Sequence, residues 1–162
     1  MLIFVSTRFC VEYFKKLMER FLKKRKIFGI HGKKKKNREQ EIELFKKTPK
    51  SVMLCTDLMS RGIDIEDIDC VIQFDIPRES SWFVHRAGRC ARSGRPGKNL
   101  LLLTTEESGY VEFISKYESL RMENIKIKTS NALKAEELRT RTIKMAVQDR
   151  DILECGTRAF VS

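Results

Sequence analysis

Five short apolar runs, 2–6, 27–31, 52–56, 70–74 and 100–104, punctuate the first two-thirds of this chain. Most are continuous rather than alternating, the pattern of strands covered on both faces. Between the first three lie helical patterns. Segment 9–23 carries Phe14, Leu17, Met18, Phe21 and Leu22 at helical spacing, and segment 37–47 carries Ile42, Leu44 and Phe45. A third helix is expected over 80–92, after Pro77, with Ser80 or Ser81 as its cap. Strand and helix in this rhythm predict an α/β fold, a parallel sheet with right-handed crossovers and helices on both faces. Ligands on such sheets bind at the carboxyl ends of the strands. Thr7, Arg8, His31, Gly32, Thr56, Asp57, Asp75 and Pro77 fall there. Segment 106–117 reads as one more helix, 122–131 as a polar connection, and 132 onward as a less compact helical tail cut inside a larger element.

The chain has 162 residues, a size that suits one compact domain with an extension. Its 33 Lys and Arg against 22 Asp and Glu give a net charge of +11, which favours an anionic partner, most simply nucleic acid. The charge is concentrated locally. Lys33-Lys34-Lys35-Lys36 is bare lysine, and Lys23-Lys24-Arg25-Lys26 reads as a solvated helix end that also has the form of a nuclear localisation signal. Five cysteines, odd in number and without a CxxC pair, argue against a disulfide framework and against zinc, so no metal ligands are assigned. No apolar run reaches membrane-spanning length, and the apolar start reads as a buried strand rather than a signal peptide.

The densest chemistry lies in His85-Arg86-Ala87-Gly88-Arg89-Cys90-Ala91-Arg92-Ser93-Gly94-Arg95. If the helix continues to 92, His85, Arg89 and Arg92 share one face while Phe83, Ala87 and Cys90 take the other. One side then buries and the other holds fixed cations. Guanidinium suits phosphate because it is always charged and offers paired donors.

With the sheet order in place, the motifs resemble those of the second RecA-like domain of a DEAD-box RNA helicase. Leu2-Ile3-Phe4-Val5-Ser6-Thr7-Arg8 resembles motif IV, and His31-Gly32 with Arg38 resembles motif IVa. Cys55-Thr56-Asp57-Leu58-Met59-Ser60-Arg61-Gly62-Ile63-Asp64 resembles motif V, and the segment from His85 to Arg92 resembles motif VI. One departure stands out: Lys36 leads to Arg38 by two residues, so the glutamine the family places three before that arginine is missing. The lysine run there adds RNA affinity by counterion release instead.

The resemblance implies roles. Arg89 and Arg92 would be arginine fingers, meeting charge that develops on the transferring phosphoryl group of ATP. His85 and Arg86 would couple two domains, Asp64 would accept from the ribose hydroxyl, and Gly62 would line the nucleotide. Thr7, Arg8, Gly32, Arg38, Thr56 and Arg61 would hold single-stranded RNA by its backbone, without reading bases. The sequence has no GxxxxGK[ST] loop and no DExD box, so ATP and Mg²⁺ are expected to be held mainly by a first RecA-like domain, and this chain alone is expected to hydrolyse ATP negligibly. The expected division is 1–120 for the helicase domain and 121–162 for a linker and truncated helical extension. Tyr110-Val111-Glu112-Phe113 and the segment 149–162 resemble the branch acting on large-ribosomal-subunit precursors. That branch implies pre-rRNA and the pre-ribosomal particle as partners and a place in the nucleus and nucleolus; a monomer is expected. The rival reading is a non-catalytic RNA-binding or scaffold module that kept the fold; a third is a DNA-directed helicase.

Overall fold

The structure is a computed structural model, and it describes residues 1–32, 37–57, 65, 68–91, 94–125 and 132–162. Five strands, β1 (Leu2–Phe4), β2 (Ile27–Ile30), β3 (Val52–Cys55), β4 (Cys70–Gln73) and β5 (Lys98–Leu101), form one sheet in the order β2-β3-β1-β4-β5. Every pairing is parallel. Helices α1 (Arg8–Phe21), α2 (Arg38–Lys47), α3 (Ser80–Ala87) and α4 (Gly109–Glu118) belong to the sheet, followed by α5 (Ala132–Gln148) and α6 (Arg150–Phe160).

The continuous apolar runs of β1, β2 and β3 exist because these strands bury both faces. Leu2 and Phe4 meet Ile42 and Phe45 of α2, with Met53, Ile68 and Cys90, on one side. Ile3 and Val5 meet Val11, Phe14 and Met18 of α1 on the other. Alternate residues of one strand thus feed two cores, as the pleat requires. Within β4 one polar side chain interrupts the pattern: fully buried Gln73 donates to the Phe83 carbonyl at 3.3 Å and to Asn99 at 3.4 Å, tying α3 and β5 to the sheet.

The third helix is shorter than expected. It stops at Ala87, with Gly88 as C-cap, and its N-cap is Glu79 without a side-chain capping bond, in place of Ser80 or Ser81. Cys90 must reach a parallel bridge with Ile68, and Ala91 sits at φ 57°, which no right-handed helix accepts. A Cβ on Gly97 would lie 2.6 Å from the Ala91 amide nitrogen, so the return strand passes this turn too closely for any side chain. The helical face expected to carry His85 and Arg89 therefore ends before Arg89: His85 is on the helix, Arg89 is in the turn after it, and Arg92 lies outside the described residues.

Two other boundaries move. β5 begins two residues earlier than its apolar run, because register with β4 (Cys70↔Lys98 to Gln73↔Leu101) sets an edge strand, not hydrophobicity. α4 begins at Gly109 because the Glu107 carboxylate accepts from the Thr104 amide and hydroxyl, each at 2.9 Å, and holds a turn first.

The tail is better packed than its pattern suggests. The Asp149 carboxylate caps α6 through the Asp151 and Ile152 amides. The same carboxylate binds Arg20, and Asp151 binds Lys16, so two ion pairs lock α6 onto α1. Ile152 and Cys155 are buried, and a Cβ on Gly156 would come within 3.0 Å of the Tyr13 ring. α5 is largely exposed, with Arg141 stacked on Phe21 at 5.1 Å. Hydrogen bonding to Arg20 holds the Asp149 carboxyl below its ordinary value of 3.8. Its share of α6 docking is thus complete above that value and lost as pH falls through the lower folded one. Amide hydrogen exchange in α6 should rise across that acid window, and Asp149→Asn should flatten the dependence; a parallel rise in the variant would show that another group controls docking.

Candidate nucleic-acid and nucleotide site

Because all five strands run the same way, their carboxyl ends share one pole. Thr7 and Arg8 follow β1, Gly32 follows β2, Thr56 follows β3, and Arg38 opens α2 at the same pole. Five of the six expected RNA residues are thereby brought together; Arg61 lies outside the described residues, as do Gly62, Asp64 and the lysine run 33–36.

Each position has a local cause. Thr7 is the N-cap of α1: its hydroxyl accepts from the Cys10 amide at 3.2 Å and shares a 2.7 Å hydrogen bond with the Ser162 hydroxyl, so α6 ends beside it. The Arg8 guanidinium lies 4.3 Å over the Phe9 ring, which holds it at the surface. Gly32 is exposed, does not have positive φ, and a Cβ there would meet nothing within 4 Å among the described residues. Neither its φ nor packing among the described residues therefore requires a glycine at that position. Its bare backbone leaves room for an approaching strand. His31 is buried, with Nε2 3.2 Å from Glu12, and so belongs to the core.

Behind this pole lies a polar network in which Arg86 is central. Its side chain is 1% exposed. Nε and one terminal nitrogen donate to the two carboxylate oxygens of Asp57, the latter at 2.8 Å, and the other terminal nitrogen donates to the Asp75 carbonyl at 2.7 Å. The guanidinium carbon sits 5.3 Å from the centre of the Phe4 ring. The Asp75 carboxylate in turn accepts from the Ser6 amide at 2.7 Å. The ends of β1, β3 and β4 are thus pinned to one another and to α3. Cys55, fully buried beside this network, has its thiol pushed far up by desolvation and stays a neutral packing group. Sequence reasoning placed Asp57 and Asp75 at strand ends but missed their joint grip on Arg86. The available signal was an arginine one turn from Phe83 on a helix facing two strand-end carboxylates.

Arg89 lies elsewhere. α3 spans about 12 Å at 1.5 Å per residue and carries the chain down from this pole. The turn that follows reaches Ile68, before β4, through Cys90. The Arg89 Nε donates to the His85 carbonyl at 3.2 Å, an anchor at the helix end that orients the guanidinium. His85 is half-buried, and its Nδ1 finds no hydrogen-bond partner among the described residues. The site is therefore in two parts, a hydroxyl-and-cation pole and an arginine turn, with Arg86 on the helix that connects them. Among the described residues no cluster of His, Cys, Asp and Glu could hold a metal ion, and no helix is long and apolar enough to cross a membrane.

This sheet order, with helices on both faces, is that of a RecA-like domain. The model of the helicase conserved C-terminal domain matches residues 1–94. The chain belongs to that family, and is a helicase C-terminal domain of DEAD-box type. It is 52% identical over 162 residues to a "Probable ATP-dependent RNA helicase DDX55 homolog" of Caenorhabditis briggsae, covering 99% of this chain and 28% of the relative. It thus spans 28% of the length of the first curated relatives it matches. Domain 2 of the Mss116p DEAD-box helicase, bound to an RNA duplex, superposes with a TM-score of 0.79 at 23% identity, covering 99% of this chain and 62% of the other. DEAD-box helicase Mss116 bound to ssRNA and UDP-BeF gives 0.72 at 26% identity, covering 95% and 28%.

Proposed function

We propose that this chain is the second RecA-like domain of an ATP-dependent RNA helicase, binding single-stranded RNA at the carboxyl pole and completing an ATP site with Arg89 and Arg92. The observation that carries the reading is the two-part site. The pole offers Thr7, Arg8, Gly32, Arg38 and Thr56. Arg89 lies in the turn that follows α3, tethered to the His85 carbonyl. Arg61 joins the RNA set, and Gly62 and Asp64 the nucleotide set, by their place in the motif. Hydroxyls, backbone and arginines hold phosphate without base readout. A guanidinium at a second position meets charge on a phosphoryl group. His85 and Arg86 relay between the two, and Arg86 does so as a buried strut.

ATP with Mg²⁺ is held mainly by a first RecA-like domain of the same protein. The two domains close over ATP and RNA, and hydrolysis reopens them. Residues 1–120 form the helicase domain and 121–162 a linker and helical extension. The resemblance of 110–113 and 149–162 to the ribosome-assembly branch supports work on pre-rRNA in the large-subunit precursor, as a monomer, in the nucleolus. The test is RNA-stimulated ATP turnover. The protein carrying both domains should turn over ATP with RNA, and not with equivalent DNA, while this chain alone should not. A two-domain protein that binds RNA without turnover would make the chain a scaffold module.

A further inference from the structure

Two loops at the opposite pole gather seven cations. Lys23, Lys24, Arg25 and Lys26 lead into β2, and Lys46, Lys47 and Lys50 lead into β3; all seven are exposed. The pairing Ile27↔Val52 makes the loops neighbours, and the Val52 amide donates to the Lys26 carbonyl at 3.0 Å. A second link comes from Arg25, whose terminal nitrogen donates to the Lys50 carbonyl at 3.2 Å. The cations are therefore held together rather than scattered.

Ordinary causes explain only part of this. α2 ends here, and cations in a last turn offset the partial negative charge of the helix terminus. That accounts for Lys46 and Lys47, of which Lys46 also reaches Glu43 at 3.3 Å. The other five lie beyond either helix. In the last turn of α1 the basic residue is Arg20, which is already bound to Asp149. Mutual repulsion among five further cations, with no ion pair to them among the described residues, is a cost that an anionic partner would remove.

We propose that this amino-pole patch is a second binding surface for RNA, one that grips the phosphate backbone of a segment other than the one at the carboxyl pole. From Lys26 to His31 is five residues, roughly 17 Å at about 3.3 Å per strand residue. The two surfaces are therefore separate. Neither loop contains an aromatic residue. Contact is thus made by lysine point charges, tolerant of sequence and sensitive to salt, without base stacking. Such a surface would keep a long RNA attached while the carboxyl pole opens and closes.

The test uses this chain and an oligouridine of about 30 nucleotides, longer than one site of about 4–16 nucleotides. In the variant, Lys23, Lys24, Lys26, Lys47 and Lys50 are replaced by alanine. These side chains are exposed, so its melting curve should overlay that of the parent. The slope of log K against log salt should fall by about 3.5, at about 0.7 per phosphate contact. An unchanged slope overturns the proposal. So does a variant that binds RNA as before but fails to accumulate in nuclei, which would make the patch a transport signal. Arg8→Ala with Arg38→Ala probes the other pole independently, so failure of either surface is read without the other.

Discussion

Arg86→Ala should lower the stability of the chain by about 3–5 kcal/mol, the usual cost of removing one partner of a buried ion pair. The guanidinium is 1% exposed and the Asp57 side chain 15%, so solvent cannot take over the lost contacts. Truncation takes two donors from the buried Asp57 carboxylate, leaves the Asp75 carbonyl without the Arg86 donor, and opens a cavity over Phe4. Three strand ends lose their common strut. For a domain of this size about 2–4 °C is lost per kcal/mol, so the melting midpoint should fall by roughly 6–20 °C. Urea titration gives the free energy directly. Lysine should not restore it, because one ammonium cannot serve both Asp57 oxygens and a separate carbonyl. Pairing Arg86→Met with Asp57→Leu should recover most of the loss, since apolar replacement of both partners removes the stranded charge. A loss below about 1 kcal/mol in Arg86→Ala would show that water reaches Asp57 and that the network is not a strut.

The same network shows what the sequence could and could not disclose. Continuous apolar runs announce buried strands, because a strand with two covered faces needs an apolar residue at nearly every position. Four of the five strands accordingly fall inside the expected segments. Parallel order follows from the helices between them. The edge strand β5 escapes this logic: half of it is exposed, and register with β4 rather than apolarity places Lys98 opposite Cys70. The end of α3 escapes for a different reason. Gly88 to Arg92 keeps helical spacing, yet Cys90 is claimed by Ile68 and Gly97 passes against Ala91, contacts that are distant in sequence. The tail docks by ion pairs between residues more than a hundred positions apart, Lys16 with Asp151 and Arg20 with Asp149, which local periodicity cannot report. In the candidate site the hydroxyls and arginines were visible as residue types at strand ends. Their division into an RNA set and a nucleotide set came with the resemblance; that Arg89 sits in a turn rather than on a helix did not, because it depends on where α3 stops.

That division gives the second large effect. In the protein carrying both helicase domains, Arg89→Ala should reduce RNA-stimulated ATP turnover by about 10³–10⁵, or roughly 4–7 kcal/mol of barrier, the range of an arginine finger. The loss should fall on kcat, with little change in KM for ATP, because the finger acts on charge that grows in the transition state. The fold should survive. Arg89 is half-buried, and losing its bond to the His85 carbonyl, at a helix end where water can substitute, costs about 0.5–1.5 kcal/mol for that bond. RNA affinity should hold within about twofold, since Arg89 sits in the turn after α3 and not among the strand-end residues Thr7, Arg8, Gly32 and Thr56. Arg89→Lys separates charge from geometry: an ammonium keeps the charge but loses the planar fork, and turnover should remain far below the parent. A decrease of less than about tenfold in Arg89→Ala would remove the finger assignment. A matched loss of RNA affinity and turnover would instead mean that the arginine turn and the hydroxyl pole form one surface, which the course of α3 from Ser80 to Ala87 argues against.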